Sequence, residues 1–180
     1  MGFVATILRP SAVAVATVLG LSGCLGPDPW TLHPDPQTEH TVEAARALFA
    51  DRTRITQNSF HGTQIEYFAA DGRAYLWYPG NSGVVPSLWK VSGYAFTEHE
   101  ICWLYPTYSK NSVTGLSGGN WECSPSTTYN GFLSQLIEGD PFNLASGKVP
   151  FRLPKGKFTA QELLNQWGKD PSNLKIIYPR

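Results

Sequence analysis

The chain has 180 residues, a length that fits one domain of ordinary size. Its 14 Lys and Arg residues balance its 14 Asp and Glu residues, which argues against a nucleic-acid partner held by a broad positive field. The charged fraction is 16% and the aromatic fraction is 13%, a composition typical of a packed globular body and not of a disordered chain.

The first 23 residues have the pattern of a secretory leader. Arg9 precedes an apolar stretch over 11–21, which is shorter than the roughly 20 residues needed to span a bilayer. The stretch ends in the sequence LSGC, which resembles the lipobox of bacterial lipoproteins. The resemblance implies that 1–23 is a signal peptide and that Cys24 carries acyl chains such as palmitate, which anchor the protein to a membrane. Ordinary secretion or a free thiol is the alternative, although no A-x-A-like cleavage site lies near Gly23.

Residues 24–40 form the next segment. Its sequence, CLGPDPWTLHPDPQTEH, contains four prolines and little apolar periodicity, which predicts a stiffened tether between membrane and domain. Leu25, and not Asp, follows Cys24. Among lipoproteins this implies the outer membrane, with the domain facing the periplasm.

We expect residues 41–180 to form a single α+β domain that opens with a helix. In TVEAARALFAD, Thr41 can cap the first turn, and Val42, Ala45, Leu48 and Phe49 share one face.

Residues 62–125 have the alternation of strands. Asp71-Gly72 lies between two β-rich runs and predicts a hairpin. The runs SLWKVSG, EICWLYP and GNWECSP follow, separated by turn residues. The pattern predicts an antiparallel sheet or a small, partly closed barrel with flanking helices.

The last third returns to helical spacing. In YNGFLSQLIEG, the residues Phe132, Leu133, Leu136 and Ile137 form one stripe, which predicts a helix that stops at Gly139. Thr159 and Glu162 have the spacing of a capping box at the start of a second helix, with Gly168 as its C-cap. The run LKIIYP predicts a final short strand.

Two cysteines remain for the fold. Export would place Cys102 and Cys123 in an oxidising compartment, where an even pair most simply forms a disulfide. A metal or redox thiol pair is the alternative, but the sequence has neither a C-x-x-C motif nor a histidine pair nearby. We therefore predict no metal and no cofactor.

A further resemblance rests on the order of motifs from Gly62 to Pro125. A G-x-x-x-x-Y hairpin, then W-x-V, I-C-W and W-x-C, is similar to small uncharacterised proteobacterial envelope proteins. Trp89, Cys102, Trp121 and Cys123 carry the match. The resemblance implies an aromatic-rich sheet with two cysteines, and it implies no activity.

The titratable residues do not form a recognisable catalytic motif. The densest patch is Glu98-His99-Glu100, where alternation places the two carboxylates on one side and the imidazole on the other. Such a run is more often a solvated turn or strand edge. The sequence has no H-E-x-x-H motif, no G-x-S-x-G motif and no phosphate-binding glycine loop, so we expect a non-catalytic role in binding or envelope maintenance. A hydrolase-type enzyme remains an alternative.

Two binding hypotheses follow from the aromatic strands. The sheet carries more rings than one face needs, and those not in the core would stack on a sugar or hold a small ligand; the candidates are Tyr75, Trp77, Tyr78, Trp103 and Tyr105. Packing of all these rings in the core is the alternative. The Gly/Ser-rich loop over 107–120 would suit an envelope protein partner, or would be a solvated connector.

Overall fold

The structure is a computed structural model that describes residues 41–93 and 99–178. It contains eight strands: β1 Arg52–Asn58, β2 Gly62–Phe68, β3 Arg73–Trp77, β4 Val85–Ser92, β5 Glu100–Leu104, β6 Trp121–Pro125, β7 Leu133–Glu138 and β8 Ile176–Tyr178. Its three α-helices are α1 Val42–Ala47, α2 Ser126–Asn130 and α3 Ala160–Trp167. The signal peptide, Cys24 and the tether predicted from the sequence lie outside the described residues, as does Glu98.

All eight strands belong to one antiparallel sheet with the order β6-β5-β4-β3-β2-β1-β7-β8. The sheet curls into a half barrel with helices beside it, which confirms the predicted α+β class. The Asp71-Gly72 hairpin joins β2 to β3 as expected, and Gly72 has a φ of 92° that favours glycine.

The sheet is packed on both faces, so two separate cores form. On one side, which we call the cleft face, a core contains Phe49 of the segment after α1 together with Phe68, Trp89, Ile101 and Trp103. On the opposite face, a second core contains Ile55, Ile65, Trp77 and Ile137 with residues of α3. Strand alternation divides the side chains between the two cores.

The helix α1 starts where the sequence predicts. The Thr41 side chain accepts a hydrogen bond from the Ala44 N–H over 3.1 Å, and this N-cap satisfies one of the free amides of the first turn. The helix is shorter than predicted, because it ends at Ala47. The turn that follows places Phe49 against the cleft face, where its side chain is 3% exposed.

The helix predicted over YNGFLSQLIEG is wrong for most of its length. Residues 133–138 form β7, which pairs with β1 on one side and with the edge strand β8 on the other. The apolar stripe fitted a helical period, but β1 needs a hydrogen-bonding partner on its second edge, and β7 supplies it. Only α2, which ends at Asn130, is helical in this region.

The helix α3 confirms the capping-box prediction. The Thr159 hydroxyl accepts from the Glu162 N–H, and the Glu162 carboxylate accepts from the Thr159 N–H over 2.8 Å. Gly168 ends the helix in the left-handed region, as expected. Leu163 and Leu164 then pack on the opposite face.

The two cysteines lie directly across from each other on β5 and β6. Their Cα atoms are 4.0 Å apart and their sulfurs are 2.00 Å apart, so the structure contains the predicted disulfide. The bond ties the edge strand β6 to the body of the sheet.

Candidate functional site

An open cleft of about 730 Å³ lies on the cleft face beside the aromatic core. The cleft-facing residues of β2, β3, β5 and β6 form its floor, and Tyr129 of α2 forms part of its wall. Helix α1 covers the neighbouring part of the same face and leaves this part open. The volume is in the range of sites that bind small organic molecules.

The floor of the cleft carries a buried carboxyl group, that of Glu66 on β2. Its side chain is 5% exposed, and it accepts two hydrogen bonds from phenol groups. The Tyr129 hydroxyl donates to Oε2 over 3.1 Å, and the Tyr105 hydroxyl donates to Oε1 over 3.4 Å. Each carboxylate oxygen keeps a further lone pair for another donor.

Arg54 lies directly across from Glu66 in the β1–β2 register but does not form an ion pair with it. The guanidinium instead donates to Oδ1 of Asn130, and it lies 4.7 Å from the ring centre of Phe49 and 5.0 Å from that of Tyr129. Arg54 is 3% exposed, and burial lowers the pKa of its guanidinium. Its positive charge therefore offsets the charge of Glu66 through space only.

Burial dominates the ionisation of this cluster. It raises the pKa of Glu66 to about 7. The hydrogen bonds from Tyr129 and Tyr105, the nearby indole N–H of Trp103 and the charge of Arg54 favour the ionised form and oppose this effect in part. Burial also raises the pKa of both tyrosines, and the nearby charge of Glu66 adds to that effect. Near neutral pH, the carboxyl group is thus divided between its charged and neutral forms.

Trp103 of β5 lies in the cleft beside Glu66, with 8% of its side chain exposed. Its indole Nε1–H is close enough to favour the ionised carboxylate, yet it has no acceptor at hydrogen-bond distance among the residues that the structure describes. The indole ring packs edge-on against the ring of Tyr129, with centroids 4.9 Å apart. The site therefore offers one buried donor without a close acceptor.

The segment over 106–120 forms the rim of the cleft. Within it, an isolated bridge pairs Lys110 with Ser117, and the Gly118 N–H donates to the Ser109 carbonyl over 3.0 Å. A Cβ atom at Gly118 would lie 2.1 Å from the Pro106 carbonyl oxygen, so only glycine fits there. Tyr108 is 79% exposed at this rim.

A second polar pair lines the opposite wall. His61 Nδ1 and the Tyr78 hydroxyl are 2.6 Å apart. Burial, and then the charge of Lys155, lowers the pKa of His61, which favours the neutral imidazole.

The structure divides the five aromatic candidates between the two faces. Tyr78, Trp103 and Tyr105 line the cleft. Tyr75 and Trp77 belong to the core of the opposite face, where Trp77 is fully buried and donates from Nε1 to the Phe151 carbonyl over 3.1 Å.

His99 and Glu100, the two described residues of the patch Glu98-His99-Glu100, do not line the cleft. His99 and Glu100 are both half-buried, and Glu100 begins β5. The Glu100 carboxylate lies within 4.8 Å of the sulfurs of Cys102 and Cys123, but the disulfide uses both thiols, so these three residues do not offer a thiolate to a metal.

Sequence reasoning missed Glu66, Arg54 and Tyr129. The signal was present for the first two, because each charged residue stands inside a run whose neighbours are apolar or β-branched, in GTQIEYF and RTRITQN. A charge at such a position is buried with a partner or lines a site. Tyr129 gave no comparable signal, since it lies 63 positions from Glu66 along the chain.

Comparisons with known proteins add no assignment to this geometry. No protein-family model matches the chain, and neither a curated protein nor a solved structure resembles it significantly. Within the described ranges, none of the helices has the length and apolar character required to cross a membrane.

Proposed function

We propose that the protein is a lipid-anchored envelope protein whose domain binds a small polar ligand, such as a sugar, in the cleft. The cleft on the sheet supports the binding role, because it combines a buried carboxyl group, an indole N–H without a close acceptor and several aromatic rings. Convergent polar groups beside aromatic rings in one cavity are typical of ligand sites. The role is non-catalytic, and it uses Tyr78, Trp103 and Tyr105 of the five aromatic candidates.

The anchor rests on the sequence LSGC and on the proline-rich tether after it. In this proposal, Cys24 carries the lipid and the domain faces the periplasm from the outer membrane. Mass analysis of the N-terminal peptide, isolated from membranes, tests the anchor. We expect an acylated Cys24 at the N-terminus, and an unmodified Cys24 within a retained leader would contradict the proposal.

Site-resolved ¹⁹F NMR tests the binding role. The full chain labelled with 5-fluorotryptophan, in detergent micelles, should give one signal for each of its six tryptophans. A panel of neutral, amino and acidic monosaccharides is titrated in. At least one should shift the signal of Trp103, which lines the cleft, and leave that of Trp77, which is buried on the opposite face.

A matched pair of variants locates the binding. Ser124→Phe places a ring in the cleft, whereas Leu88→Phe places one on the outside of β4, where Leu88 is 48% exposed. We expect the first variant to abolish the Trp103 shift and the second to keep it. A panel that leaves the Trp103 signal unmoved would refute the binding role.

A further inference from the structure

The charge inside the cleft indicates what kind of ligand it takes. Two carboxyl groups belong to the cleft: Glu66 on the floor and Glu122, which lies across from Trp103 in the β5–β6 register. Lys110 also lines the cleft and carries a positive charge, but it is exposed on the rim. The interior is therefore more negative than the rim.

The negative charge of Glu66 has no contacting cation among the described residues. Its two hydrogen bonds come from the neutral phenols of Tyr105 and Tyr129. Arg54, its cross-strand neighbour, directs its guanidinium to Asn130 and to two aromatic rings. A ligand cation in the cleft would supply a charge-assisted partner that the chain itself does not place there.

The walls favour the same kind of ligand. The rings of Trp103 and Tyr129 stand edge-on to each other beside the carboxyl group, and Tyr105 lies next to them. Aromatic faces attract cations, most strongly where water is excluded. The buried Nε1–H of Trp103 lies beside the Glu66 carboxylate without an acceptor at hydrogen-bond distance among the described residues, so an oxygen on the ligand would satisfy it.

We propose that the cleft takes a small hydroxylated amine, the chemistry of an amino sugar, with its ammonium group against Glu66 and a hydroxyl oxygen accepting from the Trp103 indole. This inference rests on the proposed binding function and narrows it to a charge class. The ammonium donates to the free lone pairs of the carboxylate, and Glu122 adds a second negative charge to the lining of the cleft.

Three probes that share one sugar ring test the inference. They are 6-amino-6-deoxyglucose, glucose and glucuronic acid, which carry a cationic, a neutral and an anionic group at the same carbon. Each is titrated at pH 8, where Glu66 is mostly ionised, and the shift of the Trp103 ¹⁹F signal is measured. We expect the amine to bind at least about tenfold more tightly than glucose, and glucuronic acid to bind most weakly.

Variants identify the carboxyl group responsible. Glu66→Gln keeps the size of the side chain and removes its charge, so the preference for the amine should disappear. Glu122→Gln should reduce the preference for the amine in part. It gives a second test of the charge effect if Glu66→Gln lowers the stability of the fold. Glu138→Gln, at an exposed strand end whose carboxylate pairs with Lys175, should retain the full preference.

The pH dependence gives an independent readout. The charged and titratable neighbours of the Glu66 carboxyl are Arg54, Tyr105 and Tyr129, and Glu122 also lines the cleft. Burial lowers the pKa of the Arg54 guanidinium and raises the pKa of both phenols, and none of these three neighbours is expected to change charge between pH 8 and pH 6. Protonation of Glu66 should therefore weaken binding of the amine as the pH falls through about 7.

The outcomes separate this inference from the binding function. Equal affinity for the three probes, a preference for the acid, or a preference that survives Glu66→Gln would overturn the assignment of an amine while binding in the cleft stands. Failure of all three probes to move the Trp103 signal would overturn the amine assignment and count against the binding function as well.

Discussion

The Tyr129 hydroxyl donates a hydrogen bond to Oε2 of Glu66 over 3.1 Å, and this contact joins helix α2 to the floor of the cleft. Both groups are buried, so the contact is made in a medium that penalises the ionised carboxylate. The Tyr129 ring also packs against Trp103 and lies over the Arg54 guanidinium. It therefore contacts the core of the cleft face and lines the cleft as well.

The folded state should become less stable as the pH rises, because the buried Glu66 carboxyl group then loses its proton. The carboxyl group has a pKa of about 7 in the folded state against 4.5 as the ordinary value, so the folded state binds more protons between these two pH values. The free energy of unfolding should then fall between pH 4.5 and pH 7, by about 3 kcal/mol from this group. Urea denaturation across this range measures it.

The variant Glu66→Gln isolates that contribution. The difference in unfolding free energy between wild type and this variant should grow in favour of the variant as the pH rises. Glu138→Gln, whose side chain is exposed, should keep the wild-type slope. Parallel curves for wild type and Glu66→Gln would show that the carboxyl group is ionised normally.

Phe49 should contribute strongly to stability, although it lies outside a helix. Its ring is 5.9 Å from that of Phe68 and 6.3 Å from that of Trp89, and it covers Arg54. Phe49→Ala would leave a cavity and expose the guanidinium, at a cost of about 3–5 kcal/mol. Phe60→Ala, at a ring that is 72% exposed, should cost less than about 0.5 kcal/mol in the same denaturation measurement.

Gly118 should be required for the rim of the cleft for steric reasons alone. A methyl group there would meet the Pro106 and Tyr105 carbonyl oxygens at 2.1 and 2.7 Å, so the backbone of the rim must move. We expect Gly118→Ala to cost about 1–3 kcal/mol and to shift the Trp103 ¹⁹F signal without ligand. At Gly83, which lines the cleft from the β3–β4 loop, no atom lies within 4 Å of such a methyl, and Gly83→Ala should change neither quantity.

The disulfide should stabilise the domain by closing a loop. Cys102 and Cys123 are 21 positions apart, a separation that corresponds to about 3 kcal/mol in the chain-entropy treatment. The double variant Cys102→Ser/Cys123→Ser should lose that amount, and a reductant should lower the denaturation midpoint of the wild type to the same value. Insensitivity of the wild type to reductant, together with a stable double variant, would contradict this prediction.

Local patterns predicted the features that depend on neighbouring residues. The Thr41 cap, the Asp71-Gly72 hairpin and the Thr159–Glu162 capping box are each set by a few adjacent side chains, and all three are confirmed. The strand β7 was predicted as a helix because Leu133, Leu136 and Ile137 satisfy a helical period. Its pairing with β1 depends on residues about 80 positions away, which no local pattern contains.

The site could be predicted only in part for the same reason. Strand alternation correctly places Trp103 and Tyr105 on one face, opposite to Cys102. Alternation does not show which face a helix covers, and α1 covers only part of the cleft face. The contact of Tyr129 with Glu66 depends on the position of α2 in three dimensions, and no local pattern contains it.

Because the sheet separates two cores, amide hydrogen exchange should distinguish the two sides of the molecule. The cleft face is covered by α1 and α2, of six and five residues, whereas α3 on the opposite face has eight residues and a full capping box. Short helices open at little cost, so amides of α1 and α2 should exchange well before those of α3. Motion that admits a ligand would then be confined to one face, while the other holds the strands in register.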